Sequence, residues 1–379
     1  MYAQPIGPCP IGYVVEEIPF GYGSLYFCLA EDGTAVIDAR IYRAGVGELL
    51  PPDGFTPYAV NSSGVMAGKS GGGVAISTLD GLLAVIELPA GVTDVSPMDI
   101  SDGGYTAGIA YGSVYKAFRV TPDNVFEILP TPTTGAAFAN AVNSSGQVCG
   151  RWTGPGDSSS AFWDTDGTFY EIPVPVGYTN NEAMDINESG EVLIMTASHP
   201  PAIWSLSEGF RPLESSGDNY GFAAWGMNNL GHVVGLIGAG SGWVWSGSLY
   251  SFMSASLVDS DGWEILTAVD INDQGQIVGH AKLDGQTTLY LATPIGLCSA
   301  DITTTGAPAG GLGDGVPDGE ITGTDLSFFV NGWLVGDSVA DVTTQNAPQG
   351  DTLYGEPDGI VTGADIQYYV NMWVSGCNG

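Results

Sequence analysis

One short phrase recurs along this chain and limits what it can fold into. The copies are AVNSSGVMAG from Ala59, DISDGGYTAG from Asp99, AVNSSGQVCG from Ala141, DINESGEVLI from Asp185, GMNNLGHVVG from Gly226 and DINDQGQIVG from Asp270, with a weaker CLAEDGTAVI from Cys28. Aligned on their shared glycine they fall at Gly33, Gly64, Gly104, Gly146, Gly190, Gly231 and Gly275, in steps of 31, 40, 42, 44, 41 and 44 residues. A period near 40–45 residues is that of a propeller blade of four strands.

Within one period, AMDIN leads through an Asn/Ser/Gly turn into EVLIMTA, then PAIWSL and GFRPLE. The alternation has period two, β-branched and aromatic residues are enriched, and turn residues punctuate each run. The shared glycine supplies the positive φ that the hairpin needs. Helical periodicity is absent before residue 300. Several periods end in a strand of its own flavour, LAVIELP, NVFEILP or TFYEIP, but the seventh stops at TTLYLATP. The missing strand is GYVVEEIP, residues 12–19. The expected fold is therefore an all-β, seven-bladed propeller over residues 1–297, closed by its N-terminal strand, so that no open seam invites edge-to-edge association. The Asn-x-x-Gly-x-Val-x-Gly phrase resembles the HAF-type extracellular repeats of secreted bacterial proteins over roughly residues 12–296, which implies location more than activity.

Residues 298–379 are a different kind of sequence. Residues 300–339 overlay 340–379 without a gap, with 18 of 40 positions identical. Asp301, Asp318, Asp325 and Trp333 fall on Asp341, Asp358, Asp365 and Trp373. Ca²⁺ takes six to eight oxygens, and an EF-hand-like loop delivers them at fixed offsets ahead of a helix. With Asp325 closing the loop, Asp318-Gly319 takes positions five and six, the Glu320 carbonyl seven, and Thr322 nine. The second half repeats this with Asp358, Ile360, Thr362 and Asp365. Tyr354 stands where an uninterrupted second loop needs an Asp, so Asp301 and Asp341 are the better first ligands, each 17 residues ahead of its partner Asp, with Thr303 and Thr343 near position three. Two calcium ions are the expected cofactors. After each loop Leu326, Phe329, Val330 and Trp333, or Ile366, Tyr369, Val370 and Trp373, lie at i, i+3, i+4, i+7, one face of a short helix. Cys298 and Cys377 bracket the module, and their placement suits a disulfide in an oxidising compartment.

This duplicated loop-helix region resembles the divergent, Gly-Cys-ending form of type I dockerin, here Gly376-Cys377. The resemblance implies docking to a cohesin-like or surface receptor, with specificity set at the helix starts, Gly323-Thr324 and Gly363-Ala364. Both pairs are smaller than the hydroxyl pairs usual in that family.

Charge narrows the partners. The chain has 42 acidic and 8 basic residues, a formal net charge of −34, and no basic residue after Lys282. Nucleic acid and anionic membrane surfaces both require clustered Lys and Arg, so neither is expected. No apolar run is long enough to span a bilayer. The opening MYAQPIG suits a mature chain whose secretion signal has been removed. His199, His232 and His280 make no metal-binding spacing, no G-x-S-x-G elbow is present, and Glu171, Glu188 and Glu191 have no distinguishing context. Trp163, Trp204, Trp243 and Trp245 are expected to pack between blades and Cys149 to be a buried thiol, while a pairing of Cys9 with Cys28 stays open. The expected function is that of a secreted, non-catalytic protein whose propeller is attached through a Ca²⁺-dependent module. The alternatives are a polysaccharide-binding or polysaccharide-degrading propeller, the latter a carbohydrate-active enzyme, and a coat or fibre subunit in which the module engages another copy.

Overall fold

The structure is a computed structural model. It describes residues 12–20, 26–154, 158–175, 181–196, 199–213, 222–238, 240–246, 250–255, 257 and 262–295, together with 327, 329–331, 333–334, 361–362 and 366. The chain divides into two compact units, one holding Val14–Thr293 and the other Pro294–Gly379.

The first unit is the propeller. Seven antiparallel sheets follow one another along the sequence, six of four strands and a seventh whose innermost strand is broken in two. The innermost strands of blades 1 to 6 are Phe27–Leu29, Thr56–Val60, Val92–Ile100, Ala136–Val142, Glu182–Ile186 and Phe222–Met227. Blade 7 supplies Trp263–Ile265 and Asp270–Ile271. Its outermost strand is Gly12–Ile18, which pairs with Gln286–Ile295, so the ring closes as the missing strand requires. The Thr288 hydroxyl donates to Glu17 Oε1 at 2.8 Å across this junction. Ile18, fully buried, packs in one cluster with Val278 and Leu289 of blade 7 and Ala35 and Ile37 of blade 1.

Both motif glycines have structural reasons. The seven shared glycines lie at φ between 72° and 82°, where a side chain is strained. The later glycine, as in Gly150 and Gly235, lets the inner strand approach: a Cβ there would lie 1.9 Å from the carbonyl oxygen of Phe138 or Ala223. The tryptophans pack between blades as expected. Trp163 shares a cluster with Ala107, Ala117 and Leu129 of blade 3, and its indole N–H donates to the Pro130 carbonyl at 2.7 Å. Trp243 and Trp245 pack on Leu193, Ile203 and Leu213 of blade 5. The helical content of the propeller's described residues is one short 3₁₀ turn, Met253–Ala255.

Cys149 is a free, fully buried thiol, as the sequence implied. Cys28 is also free, which answers the pairing with Cys9 that the sequence left open: its sulfur lies on an inner strand and exchanges hydrogen bonds with the backbone of Val60 in blade 2.

In the second unit, Ser327, Phe329–Asn331, Trp333, Leu334 and Ile366 have helical backbone. Phe329 is buried and Trp333 half-buried, while Ser327, Asn331 and Leu334 are exposed, so the expected apolar face is present in the described part of the first helix. The Trp333 indole N–H donates to the Thr362 carbonyl at 2.6 Å, tying the first half to the second.

Candidate functional site: the axial cavity

Each repeat phrase contributes to the propeller axis at fixed offsets. In blades 2, 4, 5 and 6 the turn asparagine accepts hydrogen bonds at Oδ1 from the backbone N–H groups two and four residues on, which closes the hairpin; in blade 7, Asn272 accepts from the fourth residue, Gln276. In blades 2, 4, 6 and 7 its amide then reaches the next blade, while in blade 5 the Asn187 amide donates to Glu191 of its own hairpin at 2.9 Å. Asn61 donates to the Ser101 carbonyl, Asn143 to Asn187, Asn228 to Asn272 and Asn272 to Ala30, at 2.9–3.1 Å.

One residue after this position lies a rim of side chains that also bridge blades. Ser62 donates from N–H and hydroxyl to Asp102, Ser144 does the same to Glu188, and Asn229 donates from N–H and amide to Asp273. The acids occupy blades 3, 5 and 7, and the neutral donors blades 2, 4 and 6. Alternation around an odd ring must fail once. It fails between blades 7 and 1, where Asp273 meets Glu31. The Asp273 N–H donates to Glu31 Oε1 at 2.9 Å, and burial together with the Asp273 charge raises the Glu31 pKa above the ordinary range.

Two residues before the asparagine position the same alternation recurs: Cys28, Ala59, Asp99, Ala141, Asp185, Gly226 and Asp270. Each Asp accepts at Oδ1 from the N–H of the next residue and at Oδ2 from the following blade. The inter-blade donors are Val142 N–H to Asp99 (2.8 Å), Met227 N–H to Asp185 (2.7 Å) and Leu29 N–H to Asp270 (2.8 Å). The carboxylates are walled in by protein except where the cavity lumen reaches them. Burial is the main cause that pushes Asp99 up to about 6 and Asp270 up to about 7, and it holds Asp185 well above the carboxylate range. Their mutual charges add to this for Asp185 and Asp270. Burial first, then the charges of Asp99, Asp270 and Asp185, raises the Cys28 thiol as well.

Between these two positions and the strand start lies a third feature. The inner strands of blades 2 to 6 carry a register shift that passes over Tyr58, Met98, Asn140, Met184 and Trp225. A bulge re-aims the extra residue, and all five line a cavity of about 530 Å³ on the propeller axis. Every blade contributes to its wall. The Asn140 amide donates to Glu182 Oε1 (3.0 Å) and to the Ala183 carbonyl (2.9 Å). His280 also lines the cavity, with Nδ1 3.0 Å from the Thr267 hydroxyl and its ring 5.1 Å edge-on from Phe27. Eight lining residues are Asp or Glu, and no described Lys or Arg joins them.

The metal-binding and partner-binding residues singled out in the sequence lie almost wholly outside the described residues. Of the metal candidates Asp301, Thr303, Asp318, Glu320, Thr322, Asp325, Asp341, Thr343, Asp358, Ile360, Thr362 and Asp365, Thr362 alone lies within the described residues. Gly323, Thr324, Gly363, Ala364, Cys298 and Cys377 lie outside them too. The axial aspartates were missed although their signal is in the repeat itself: DIS, DIN and DIN alternate with AVN, AVN and GMN. Glu188, given no context by the sequence, is a rim acid.

No family model matches the chain, and no curated protein matches it; neither the HAF nor the dockerin resemblance is thus met by a family match. Among solved structures the fold is similar to a catalytically inactive virginiamycin B lyase from Staphylococcus aureus with quinupristin (11% identity, 75% of this chain and 100% of that one, TM-score 0.50). It is also similar to the extracellular domain of a one-component system from B. thetaiotaomicron (12%, 73% and 39%, 0.46). A third is an oligogalacturonate lyase in complex with manganese (11%, 71% and 88%, 0.48). The likeness is one of fold: this chain carries a seven-bladed β-propeller.

Proposed function

We propose that this is a secreted binding protein whose propeller takes a small, neutral or positively charged, saccharide-like ligand in its axial cavity, and whose C-terminal module attaches it to a receptor when Ca²⁺ is bound. The observation that carries the first half is the bulged ring: half-buried Tyr58 and Trp225, which can stack on a sugar face, line the same cavity as the Asn140 amide and Glu182. The volume suits a ligand pocket. Eight acidic residues without Lys or Arg disfavour phosphates and uronates and favour amino sugars.

Binding is favoured over hydrolysis because the buried carboxylates are committed. Asp99, Asp185 and Asp270 each accept two backbone N–H bonds, one at each oxygen, so both oxygens are engaged in holding neighbouring strands together. Attachment rests on the twin carboxylate loops of residues 300–379, on the tail's lack of basic residues, and on the ordering that metal gives to such loops. Isothermal titration with glucosamine and chitin oligomers checks the cavity reading. Binding lost in Trp225→Ala, with melting temperature kept and no product by mass spectrometry, is the expected result; unchanged binding in that variant, or turnover, overturns it.

A further inference from the structure

Blade 2 has an outer edge unlike the rest. Its outermost strand, Gly81–Ile86, reads GLLAVI and carries no charge. The outer strands of blades 1, 3, 4, 5 and 7 each hold a charged residue: Glu48, Glu127, Glu171, Arg211 and the pair Glu16 and Glu17. Blade 6 has only the three residues Tyr250–Phe252. Charges and shortness are two guards against edge pairing, and this strand has neither; the guard it does have is a single bulge at Leu83. Leu82, Leu83 and Val85 are 42%, 63% and 49% exposed. Leu83 is passed over by the pairing with Gly73–Thr78. The strand ends its sheet, and no described strand pairs with its outer side.

Charge decides what it would pair with. Asp80 precedes the strand and Glu87 follows it. A second copy docking antiparallel about Leu83 and Ala84 would set Asp80 against Glu87 at both ends, between molecules of net charge −34. We infer that blade 2 accepts, by strand addition, an extended apolar segment of a partner protein whose flanks are Lys or Arg. Backbone hydrogen bonds would supply affinity, the aliphatic side chains register, and the flanking charges partner choice.

Three labelled peptides titrated into the full chain test this by fluorescence anisotropy: Lys-Lys-Val-Thr-Val-Thr-Val-Lys-Lys, the same core with Glu flanks, and a Ser/Gly core with Lys flanks. The first should bind at least about tenfold more tightly than either control, and Leu83→Asp should weaken it about tenfold at unchanged melting temperature. Because that substitution adds negative charge, binding driven by charge alone would hold or strengthen, which overturns the proposal. So does equal binding of the Ser/Gly peptide. A dimer in sedimentation equilibrium that Leu83→Asp dissociates would also overturn it, by assigning the edge to a second copy.

Discussion

Asp270 Oδ2 accepts the backbone N–H of Leu29 at 2.8 Å, joining residues 241 positions apart across the junction where the ring closes. Asp99 and Asp185 make the same bond into blades 4 and 6. The alternating acids of the repeat are therefore clamps between neighbouring blades, and their protonation is coupled to stability.

The clamps predict a pH dependence. The pKa values of Asp99, Asp185 and Asp270 are raised in the folded protein above their unfolded values. The native state thus holds protons that the unfolded chain has released. Their contribution to stability should be fullest below the unfolded carboxylate range and decline as pH rises above about 4, with Asp99 releasing its proton near 6 and Asp270 near 7. Thermal melts across this range check it. Asp270→Asn should flatten the slope, and an unaltered slope would show that the clamp is not its source.

Removing a clamp strands its donors. Asp270→Ala leaves the N–H groups of Leu29 and Ile271 without this partner, a loss of about 2–5 kcal/mol by urea unfolding at pH 7 if both become buried and unsatisfied.

Closure of the ring depends on apolar packing as well. Ile18→Ala truncates a fully buried side chain between blades 7 and 1 and should cost about 2–5 kcal/mol. A cost similar to that of an exposed site such as Val14→Ala would mean that the N-terminal strand closes nothing.

The Cys28 thiol should resist alkylation. It stands against the cavity, but burial and nearby carboxylates hold it in the unreactive protonated form. Iodoacetamide at pH 8, read by peptide mass mapping, should label Cys28 far more slowly in native than in unfolded protein.

Calcium removal should act on the C-terminal module first. A chelator is expected to abolish a low-temperature transition and leave the propeller transition in place, with calcium uptake by titration calorimetry lost in Asp318→Ala/Asp358→Ala.

Blade number, blade period and closure by residues 12–19 were all readable because each is a local pattern repeated: strand alternation, a turn glycine at positive φ, and one strand missing from the final copy. The sequence also showed which positions carried Asp, but not that Asp99, Asp185 and Asp270 face one cavity and burden one another. That follows only when the ring brings residues 85 or more positions apart onto a common axis. Nor did alternation announce the bulge at Trp225 and its equivalents, because period two cannot show which residue is left over until two strands pair. The chain itself determined the repeat. Tertiary structure decided the site, because burial and mutual charge belong to residues only once they are neighbours.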